Sequence, residues 1–322
     1  MTPAAFTALL REDMLAVDAV IRARLHSEVV LVRQVAEYII TSGGKRLRPA
    51  LLLLGAKALG YEGRTHHELA AVVEFIHTAT LLHDDVVDES ALRRGRDTAN
   101  AVFGNAASVL VGDFLYSRAF QMMVSVQDMR VMEILAEATN VIAEGEVMQL
   151  MNCNDPDIGE DDYLRVIRYK TAKLFEASAR LGALVAGAGA QSEAALGRYG
   201  MHLGTAFQLI DDALDYSGDS EHTGKNVGDD LAEGKPTLPL LHVLRHGDAH
   251  QSRLVRQAIE QGSAAHFNEI LAAIQTTGAL DHTRACARQE ARLARAAIAS
   301  LPDGVYKNAL LELCVLAVER DR

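Results

Sequence analysis

The sequence predicts an all-α protein made of one large domain over residues 1–322. Only six prolines occur, and none lies between Pro49 and Pro156, so long stretches contain nothing that would break a helix. Helix-forming residues dominate the composition, and apolar residues make up 49% of the chain, enough for a substantial core. Apolar positions recur at helical spacing, and no long linker or low-complexity tract divides the chain.

Four helices are predicted in the N-terminal part. An outer amphipathic helix covers residues 3–25, and a second covers 29–41, ending at a Ser-Gly-Gly stop. Two more are predicted at about 50–60 and 67–90. Pro49 suits the first position of the third helix, because its missing N–H would have no partner there.

The remaining chain is predicted to be helical apart from one polar loop. Two long helices fill residues 103–151 and break near Gln127, and another begins around Glu160, where acidic residues suit a helix N-terminus. A further helix covers 197–216. Residues 217–236, rich in glycine, aspartate and lysine, form the loop, and amphipathic helices follow it.

An acidic cluster, Asp84-Asp85-Val86-Val87-Asp88, ends a long apolar run. Asp84 and Asp88 would share one helix face, where like charges repel, and burial raises that cost unless a cation is bound. Carboxylate oxygens suit Mg²⁺ better than Zn²⁺, because no histidine or cysteine shares the face at ligand spacing. For this cluster alone, a solvated acidic helix end is the alternative.

The same spacing recurs in Asp211-Asp212-Ala213-Leu214-Asp215, again after an apolar run. Gln208 precedes Asp211 by three residues and shares its face. Two such helices facing each other across one cavity would form a multi-metal clamp for a polyanion. Diphosphate is the candidate, because Mg²⁺ is usually held by a few carboxylates together with substrate phosphates.

Basic segments lie on both sides of the first acidic cluster. The segment Gly-Gly-Lys45-Arg-Leu-Arg48-Pro places cations beside a helix N-terminus, whose free N–H groups attract anions. A solvated basic loop has the same appearance. Arg93 and Arg94 follow the cluster, and arginine forks match phosphate, but they equally suit salt bridges to the aspartates.

Other candidate residues also have two interpretations each. His77, two turns before Asp84, is either a core histidine or part of a site. The pair Lys170-Thr171 lies inside a helix, either as an exposed lysine or at a kink that frees backbone carbonyls. Lys225 and Lys235 lie in the predicted loop, which fits a mobile lid and lacks the ligand pattern of an EF-hand.

Charge and cysteine usage limit the function classes. A net charge of −11 argues against nucleic acid as the main partner, and an anionic substrate would need a local basic patch. The three scattered cysteines suggest a reducing compartment and no zinc site. Because neither a signal peptide nor a convincing membrane span is found, we expect a cytoplasmic protein.

Taken together, these motifs resemble the trans-isoprenyl diphosphate synthase family over nearly the whole chain. Six motifs in the family's order make the resemblance specific. The matching segments are Gly43–Pro49, Asp84–Asp88, Arg93–Gly95, Lys170-Thr171, Phe207–Asp215 and Gly224-Lys225. Within the family, the segment Glu74–His83 is most similar to the bacterial branch that makes octaprenyl diphosphate.

The resemblance implies a helical bundle around a deep central cavity, working as a homodimer. It implies elongation of an allylic diphosphate, such as farnesyl diphosphate, with isopentenyl diphosphate to a long-chain polyprenyl diphosphate for a quinone side chain. Contact with a membrane would be at most transient, for product release. It also implies three Mg²⁺ ions, held by Asp84, Asp88, Asp211 and Asp215. The catalytic residues would be Asp84, Asp85, Asp88, Lys170, Asp211 and Asp212.

The family's substrate positions carry over residue by residue. Those for the allylic substrate fall on Arg93, Lys170, Thr171, Gln208 and Lys225. Those for isopentenyl diphosphate fall on Lys45, Arg48, His77 and Arg94. Lys235 is predicted as a further substrate-binding lysine of the loop.

Product length is predicted from side-chain size along the first acidic helix. One turn before Asp84 lie Ala79 and Thr80, which are too small to stop a growing tail. The tail would pass on toward the segment 120–123, where a bulky side chain such as that of Met123 would end elongation.

Three rival interpretations remain at this point. A terpene cyclase would pair one D-D-x-x-D with a different metal motif, and a regulatory subunit of a heteromeric synthase would typically lose aspartates. A helical scaffold protein with acidic patches would show no Mg²⁺ dependence. The two intact motifs argue against the first two rivals.

Overall fold

The computed structural model describes residues 8–41, 43–93, 95–217 and 228–320. Most of these residues lie in helices, and one short antiparallel ribbon pairs Leu92 with Asp97 and Arg93 with Arg96. The all-α prediction is therefore confirmed. In chain order, the elements of the described residues are α1 (Arg11–Arg24), α2 (Val30–Thr41), α3 (Leu47–Ala58), α4 (Thr65–Val87), β1 (Leu92–Arg93), β2 (Arg96–Asp97), α5 (Ala99–Phe103), α6 (Asn105–Val126), α7 (Met129–Asn152), α8 (Glu160–Ile167), a π-helical turn (Arg168–Ala172), α9 (Lys173–Val185), α10 (Ala190–Leu214), α11 (Asp229–Ala232), α12 (Leu238–His246), α13 (Ala249–Gln261), α14 (Phe267–Thr276), α15 (Ala279–Ala297) and α16 (Val305–Val318).

Most predicted helix ends agree with the structure to within a few residues. The predicted break at Gln127 is confirmed, because this residue has a left-handed backbone with φ of 59° between α6 and α7. The start of α8 at Glu160 is confirmed as well. Contrary to the sequence prediction, Pro49 does not occupy the first position of its helix. It is the third residue of α3, where its N–H would still lack a helical partner.

Two sequence predictions are wrong about helix extent. The second acidic helix begins at Ala190, not Gly197, because Gly197 is tolerated inside it against the side chain of Arg180. The predicted loop contains α11, which starts after Gly228 and buries Leu231 completely. One buried leucine and an acidic N-terminus are enough to order this short helix against its neighbours.

The described residues form two compact units, and the first comprises those of 8–139, 174–200 and 297–313. Its core includes the completely buried run Leu51–Leu54 of α3. A Cβ on Gly182 of α9 would lie 2.7 Å from the carbonyl oxygen of Leu52, so only glycine allows this close approach. Helix α4 packs along α6, and this contact fixes the end of α4 that carries the first acidic cluster.

The second unit comprises the described residues of 140–173, 201–296 and 314–320. Leu209 and Ile210 belong to one of its apolar clusters, and Tyr216 belongs to another. The second acidic cluster is therefore anchored on both sides along α10. Both units are assembled from separate stretches of chain, and the single domain over residues 1–322 stays a prediction.

Candidate active site: two aspartate motifs

The first aspartate motif, Asp84–Asp88, forms the last turn of α4. The backbone N–H of Asp88 donates to the carbonyl of Asp84 at 2.8 Å, so the two outer aspartates lie one helical turn apart. Both are half-buried, whereas Asp85 between them is completely buried. The outer carboxylates are thus the ones accessible to an ion or substrate.

Arg93 neutralises the buried aspartate of this motif. Its Nε and Nη2 atoms both lie 2.7 Å from Oδ1 of Asp85. Burial raises the pKa of Asp85, and the charge and hydrogen bonds of Arg93 oppose that rise. The salt-bridge interpretation of Arg93 is therefore correct at least for its contact with Asp85. Arg94 lies outside the described residues.

The carboxylates of the first motif fit Mg²⁺. They are hard oxygen donors at one-turn spacing, and Oδ2 of Asp85 is buried with no hydrogen-bond partner among the described residues. Arg93 contacts only the other oxygen of Asp85, so this buried oxygen and the two further carboxylates leave room for additional positive charge. Asp84 and Asp88 are the residues of this motif that would hold the ion.

In the basic segment 43–49, the two arginines contact other side chains, whereas the lysine is exposed. Arg46 pairs with Asp18, and its Nε lies 3.9 Å from an oxygen of Glu74. Arg48 has an Nη1 atom 3.1 Å from Nε2 of His77 and stacks on an aromatic ring. Lys45 is exposed. The structure therefore brings two predicted substrate residues, Arg48 and His77, into contact.

The second aspartate motif, Asp211–Asp215, lies on α10 and the turn after it. Arg320 pairs with Asp211. Asp212 is buried, and it accepts a hydrogen bond from the hydroxyl of Tyr163 and another from Nε2 of Gln208 at 2.7 Å. Burial and the charge of the nearby Asp230 raise the pKa of Asp212 to about 7, although those hydrogen bonds oppose the rise. The outer aspartates are half-buried here too.

The predicted kink at Lys170-Thr171 is present as a π-helical turn, Arg168–Ala172. The hydroxyl of Thr171 donates to Oε1 of Gln208 at 3.0 Å, so it ties the turn to α10. Nζ of Lys170 lies 2.5 Å from a carboxylate oxygen of Glu146. Lys170 is thus half-buried, and the alternative of an exposed surface lysine is wrong.

Of the predicted lid, residues 217–236, the structure describes only 217 and 228–236. Lys225 lies outside the described residues. Lys235 pairs with Glu233 in the turn after α11, and its backbone N–H donates to the carbonyl of Asp230 at 2.8 Å. The interpretation of the whole segment as a loop is therefore corrected only for the helix Asp229–Ala232, and Lys235 lies in the hydrogen-bonded turn that follows it.

The predicted chain-length residues lie in the first unit. Ala79 and Met123 are completely buried, and Thr80 is half-buried with its hydroxyl donating to the carbonyl of His77 at 2.8 Å. The apolar channel beside them stays a prediction. A cavity of about 380 Å³ in the second unit is lined by polar as well as apolar residues, among them Ile210, Leu214, Arg284 and Arg320.

Sequence reasoning missed several partners of the motifs. Tyr163, Arg320 and Glu146 contact Asp212, Asp211 and Lys170, respectively. Only Tyr163 carried a usable signal, because it lies two helical turns before Lys170 on the same face. Nothing in the sequence indicates that Arg320, more than a hundred residues away, would meet the second motif.

Two other groups of side chains lie close enough to share an ion: Asp13 with His66 and His67, and Glu160 with His282 and Cys286. Their nitrogen and sulfur donors suit softer metals than Mg²⁺. Asp13 already has Nζ of Lys57 at 3.5 Å, and Glu160 has Nη1 of Arg245 at 3.3 Å. Neither group therefore offers the all-oxygen donor set that suits Mg²⁺. No described helix has the length and hydropathy to cross a membrane.

Fold and motifs together define the class of protein. The all-α fold is that of isoprenyl synthases of known structure. A polyprenyl synthase from Caulobacter crescentus, complexed with calcium and isoprenyl diphosphate, matches with a TM-score of 0.95 and 46% identity over 98% of this chain and 97% of that one. The chain belongs to the polyprenyl synthetase family, whose profile matches residues 29–275.

Two of its relatives are long-chain prenyl diphosphate synthases. Octaprenyl diphosphate synthase of Escherichia coli K12 is 57% identical over 315 residues, covering 98% of each chain. A nonaprenyl diphosphate synthase of Rhodobacter capsulatus is 44% identical, covering 96% of this chain and 95% of its own length. The prediction of a prenyltransferase family member is confirmed, and Mg²⁺ dependence is general in that family.

Proposed function

We propose that this protein elongates an allylic diphosphate, such as farnesyl diphosphate, with isopentenyl diphosphate and makes all-trans octaprenyl diphosphate for a quinone side chain. The observation that carries the proposal is the 57% identity to an octaprenyl diphosphate synthase over 98% of the chain. Both aspartate motifs are intact, as catalysis by this chain requires.

Each motif has a proposed role in holding metal and diphosphate. Asp84 and Asp88 in one motif, and Asp211 and Asp215 in the other, would hold three Mg²⁺ ions. When bound, Mg²⁺ supplies the positive charge that stabilises a leaving diphosphate. The accessibility of the outer aspartates and the burial of the middle ones support this division of roles. A related synthase of known structure holds calcium and isoprenyl diphosphate, which also supports it.

The remaining site residues bind substrates and stabilise developing charge. Lys170, with Arg93 and Lys225, would bind the allylic diphosphate, and Lys45, Arg48 and His77 would bind isopentenyl diphosphate together with Arg94. The Gln208 amide and the carbonyl groups of the π-helical turn would stabilise the allylic cation as its C–O bond breaks. Among the residues that the structure describes, no side chain is an obvious base, so the released diphosphate would accept the final proton.

A homodimer in the cytoplasm is the proposed working form. In the first unit, Leu110, Val124 and Met129 expose 66%, 63% and 72% of their surfaces, and we expect a second copy of the chain to cover apolar side chains such as these. Sedimentation velocity tests this assembly, because a monomer at micromolar concentration would contradict it.

One assay tests the activity itself. The purified protein alone, given farnesyl diphosphate, isopentenyl diphosphate and Mg²⁺, is expected to make a product whose mass corresponds to eight isoprene units. A relative in Geobacillus stearothermophilus is component 2 of a heptaprenyl diphosphate synthase, which makes a heteromeric enzyme the second candidate. No product from the protein alone, with activity restored by a partner subunit, would favour that candidate.

Product length has its own test in the buried residues near the first motif. Ala79→Tyr is expected to shorten the product, because a ring replaces a methyl group at a completely buried position of α4. Met123→Ala is expected to lengthen it. Leu115→Ala, a truncation of another buried residue of α6, is the control for loss of packing alone. Unchanged product lengths in both variants would remove the proposed ruler.

A further inference from the structure

A continuous chain of hydrogen bonds runs through the second unit from Tyr163 to the π-helical turn. The hydroxyl of Tyr163 donates to Oδ2 of Asp212, and Nε2 of Gln208 donates to Oδ1 of the same carboxylate at 2.7 Å. Oε1 of Gln208 then accepts from the hydroxyl of Thr171 at 3.0 Å. Four side chains from α8, the π-helical turn and α10 are linked, and the donors on both sides converge on the carboxylate of Asp212.

The chain of hydrogen bonds fixes the orientation of each of its four side chains. Both oxygens of Asp212 are occupied, so its carboxylate plane cannot rotate without losing a bond. The Gln208 amide is likewise fixed, because flipping it would place its oxygen, an acceptor, against the carboxylate of Asp212. Tyr163 is 4% exposed and Asp212 is 3% exposed. Buried polar bonds of this kind are costly to leave unmade.

We propose that Tyr163 is a positioning residue for the reaction: its hydroxyl fixes Asp212, Asp212 fixes the Gln208 amide, and the amide fixes the Thr171 hydroxyl on the π-helical turn. This inference rests on the proposed function, which assigns Gln208 and Thr171 to the allylic substrate. Tyr163 contacts neither substrate residue directly. Its effect on the reaction is transmitted through a carboxylate that is itself buried.

A purely structural role for Tyr163 is the alternative to be excluded. Its ring packs in an apolar cluster with residues such as Ile167 and Leu209, and losing the ring would disturb that cluster. Tyr163→Phe keeps the ring and removes only the hydroxyl. The matched control is Tyr199→Phe in the first unit, where a completely buried tyrosine donates to the carbonyl of Leu310 at 2.6 Å.

The kinetic test compares these two variants with the full-length wild-type protein. Tyr163→Phe is expected to lower kcat with the allylic substrate about 10- to 100-fold, because small misplacement of reacting groups is costly. Its KM for isopentenyl diphosphate is expected to stay within twofold of the wild type. Tyr199→Phe is expected to keep the wild-type kcat. Wild-type kcat in Tyr163→Phe, or an equal loss in both variants, would overturn the proposal.

A second measurement does not depend on activity. In protein labelled with ¹⁵N-glutamine, the side-chain amide of Gln208 can be assigned by its absence from Gln208→Met. Its proton shifts are expected to move in Tyr163→Phe and to stay unchanged in Tyr199→Phe. Unchanged shifts in Tyr163→Phe would overturn the chain of hydrogen bonds. If the wild type lacked prenyl transfer while these shifts moved, the proposed function alone would fail.

Discussion

In the first aspartate motif, the buried middle carboxylate, Asp85, is paired with the guanidinium of Arg93. In the second motif, the corresponding Asp212 is held by a phenol and an amide, Tyr163 and Gln208. The two motifs have one spacing in the sequence, but their buried aspartates are stabilised by a charged partner in one case and by neutral partners in the other.

This difference appears in the pKa values of the two buried carboxyls. Burial raises the pKa of both. In the first motif, a full positive charge on Arg93 opposes the rise. In the second motif, Asp230 adds to it and the pKa of Asp212 reaches about 7. A shared motif therefore does not imply a shared protonation state, because that state depends on neighbours outside the motif.

The largest expected effect concerns what the two motifs share. Asp84→Ala and Asp211→Ala should each lower kcat/KM about 10³-fold, because each removes a proposed metal ligand at the leaving group. The measurement is incorporation of labelled isopentenyl diphosphate at saturating Mg²⁺, with helical circular dichroism as a check on folding. Asp281→Ala, at an exposed position of α15, is the control. Full activity in either motif variant would show that the motifs are not equivalent.

The next effect separates the motifs by stability. Asp85→Asn leaves the mostly buried guanidinium of Arg93 without its charge partner, and the free energy of unfolding should fall by about 3 kcal/mol. Asp212→Asn keeps an oxygen that can accept from Tyr163, and its loss should be nearer about 1 kcal/mol. Urea unfolding without Mg²⁺ measures both values. Equal losses would contradict the assignment of charged and neutral partners.

A smaller effect on activity is expected from two glycines, one beside the π-helical turn and one beside His83 of α4. A Cβ on Gly145 of α7 would lie 2.6 Å from the backbone nitrogen of Lys170, so alanine must displace the π-helical turn. The three atoms nearest to a Cβ on Gly112 of α6 would all belong to the side chain of His83, which is partly exposed and can rotate. Gly145→Ala should lower kcat about tenfold, and Gly112→Ala should change it less than about twofold.

Steady-state kinetics of the two glycine variants measured side by side provide the check. Because both changes add one methyl group inside a helix, helix propensity cancels between them. Similar kcat values for the two variants would mean that the backbone of the π-helical turn tolerates displacement.

The smallest expected effect is a pH dependence of stability. It concerns Glu290, whose carboxylate pairs with Arg168 of the π-helical turn. Burial raises the pKa of Glu290, but the hydrogen bond and charge of His202 and the charge of Arg168 outweigh it and hold the pKa below its ordinary value. A lowered folded-state pKa adds stability at neutral pH that is lost as pH falls below about 4.5, the ordinary value. The urea midpoint of Glu290→Gln should therefore fall less between about pH 6 and about pH 3 than that of the wild type. An identical pH dependence would exclude this contribution.

Much of the fold could be predicted because it depends on local chemistry. The start of α8 follows from an acidic first turn, and the spacing of each aspartate motif follows from helix geometry. Helix α11 was missed because its order depends on burying Leu231 against distant residues, which no local pattern indicates. The start of α10 was misplaced because Gly197 is tolerated only through its packing on Arg180.

The sequence by itself determined the fold class, the family and the one-turn spacing of the outer aspartates in each motif, because periodicity and spacing are properties of neighbouring residues. Only the tertiary structure decided how each buried aspartate is stabilised. Arg93 lies close to Asp85 in sequence, but Tyr163 and Arg320 reach the second motif from far along the chain. Burial and partner charge depend on which side chains the folded chain brings together, and these set the protonation and orientation of the site.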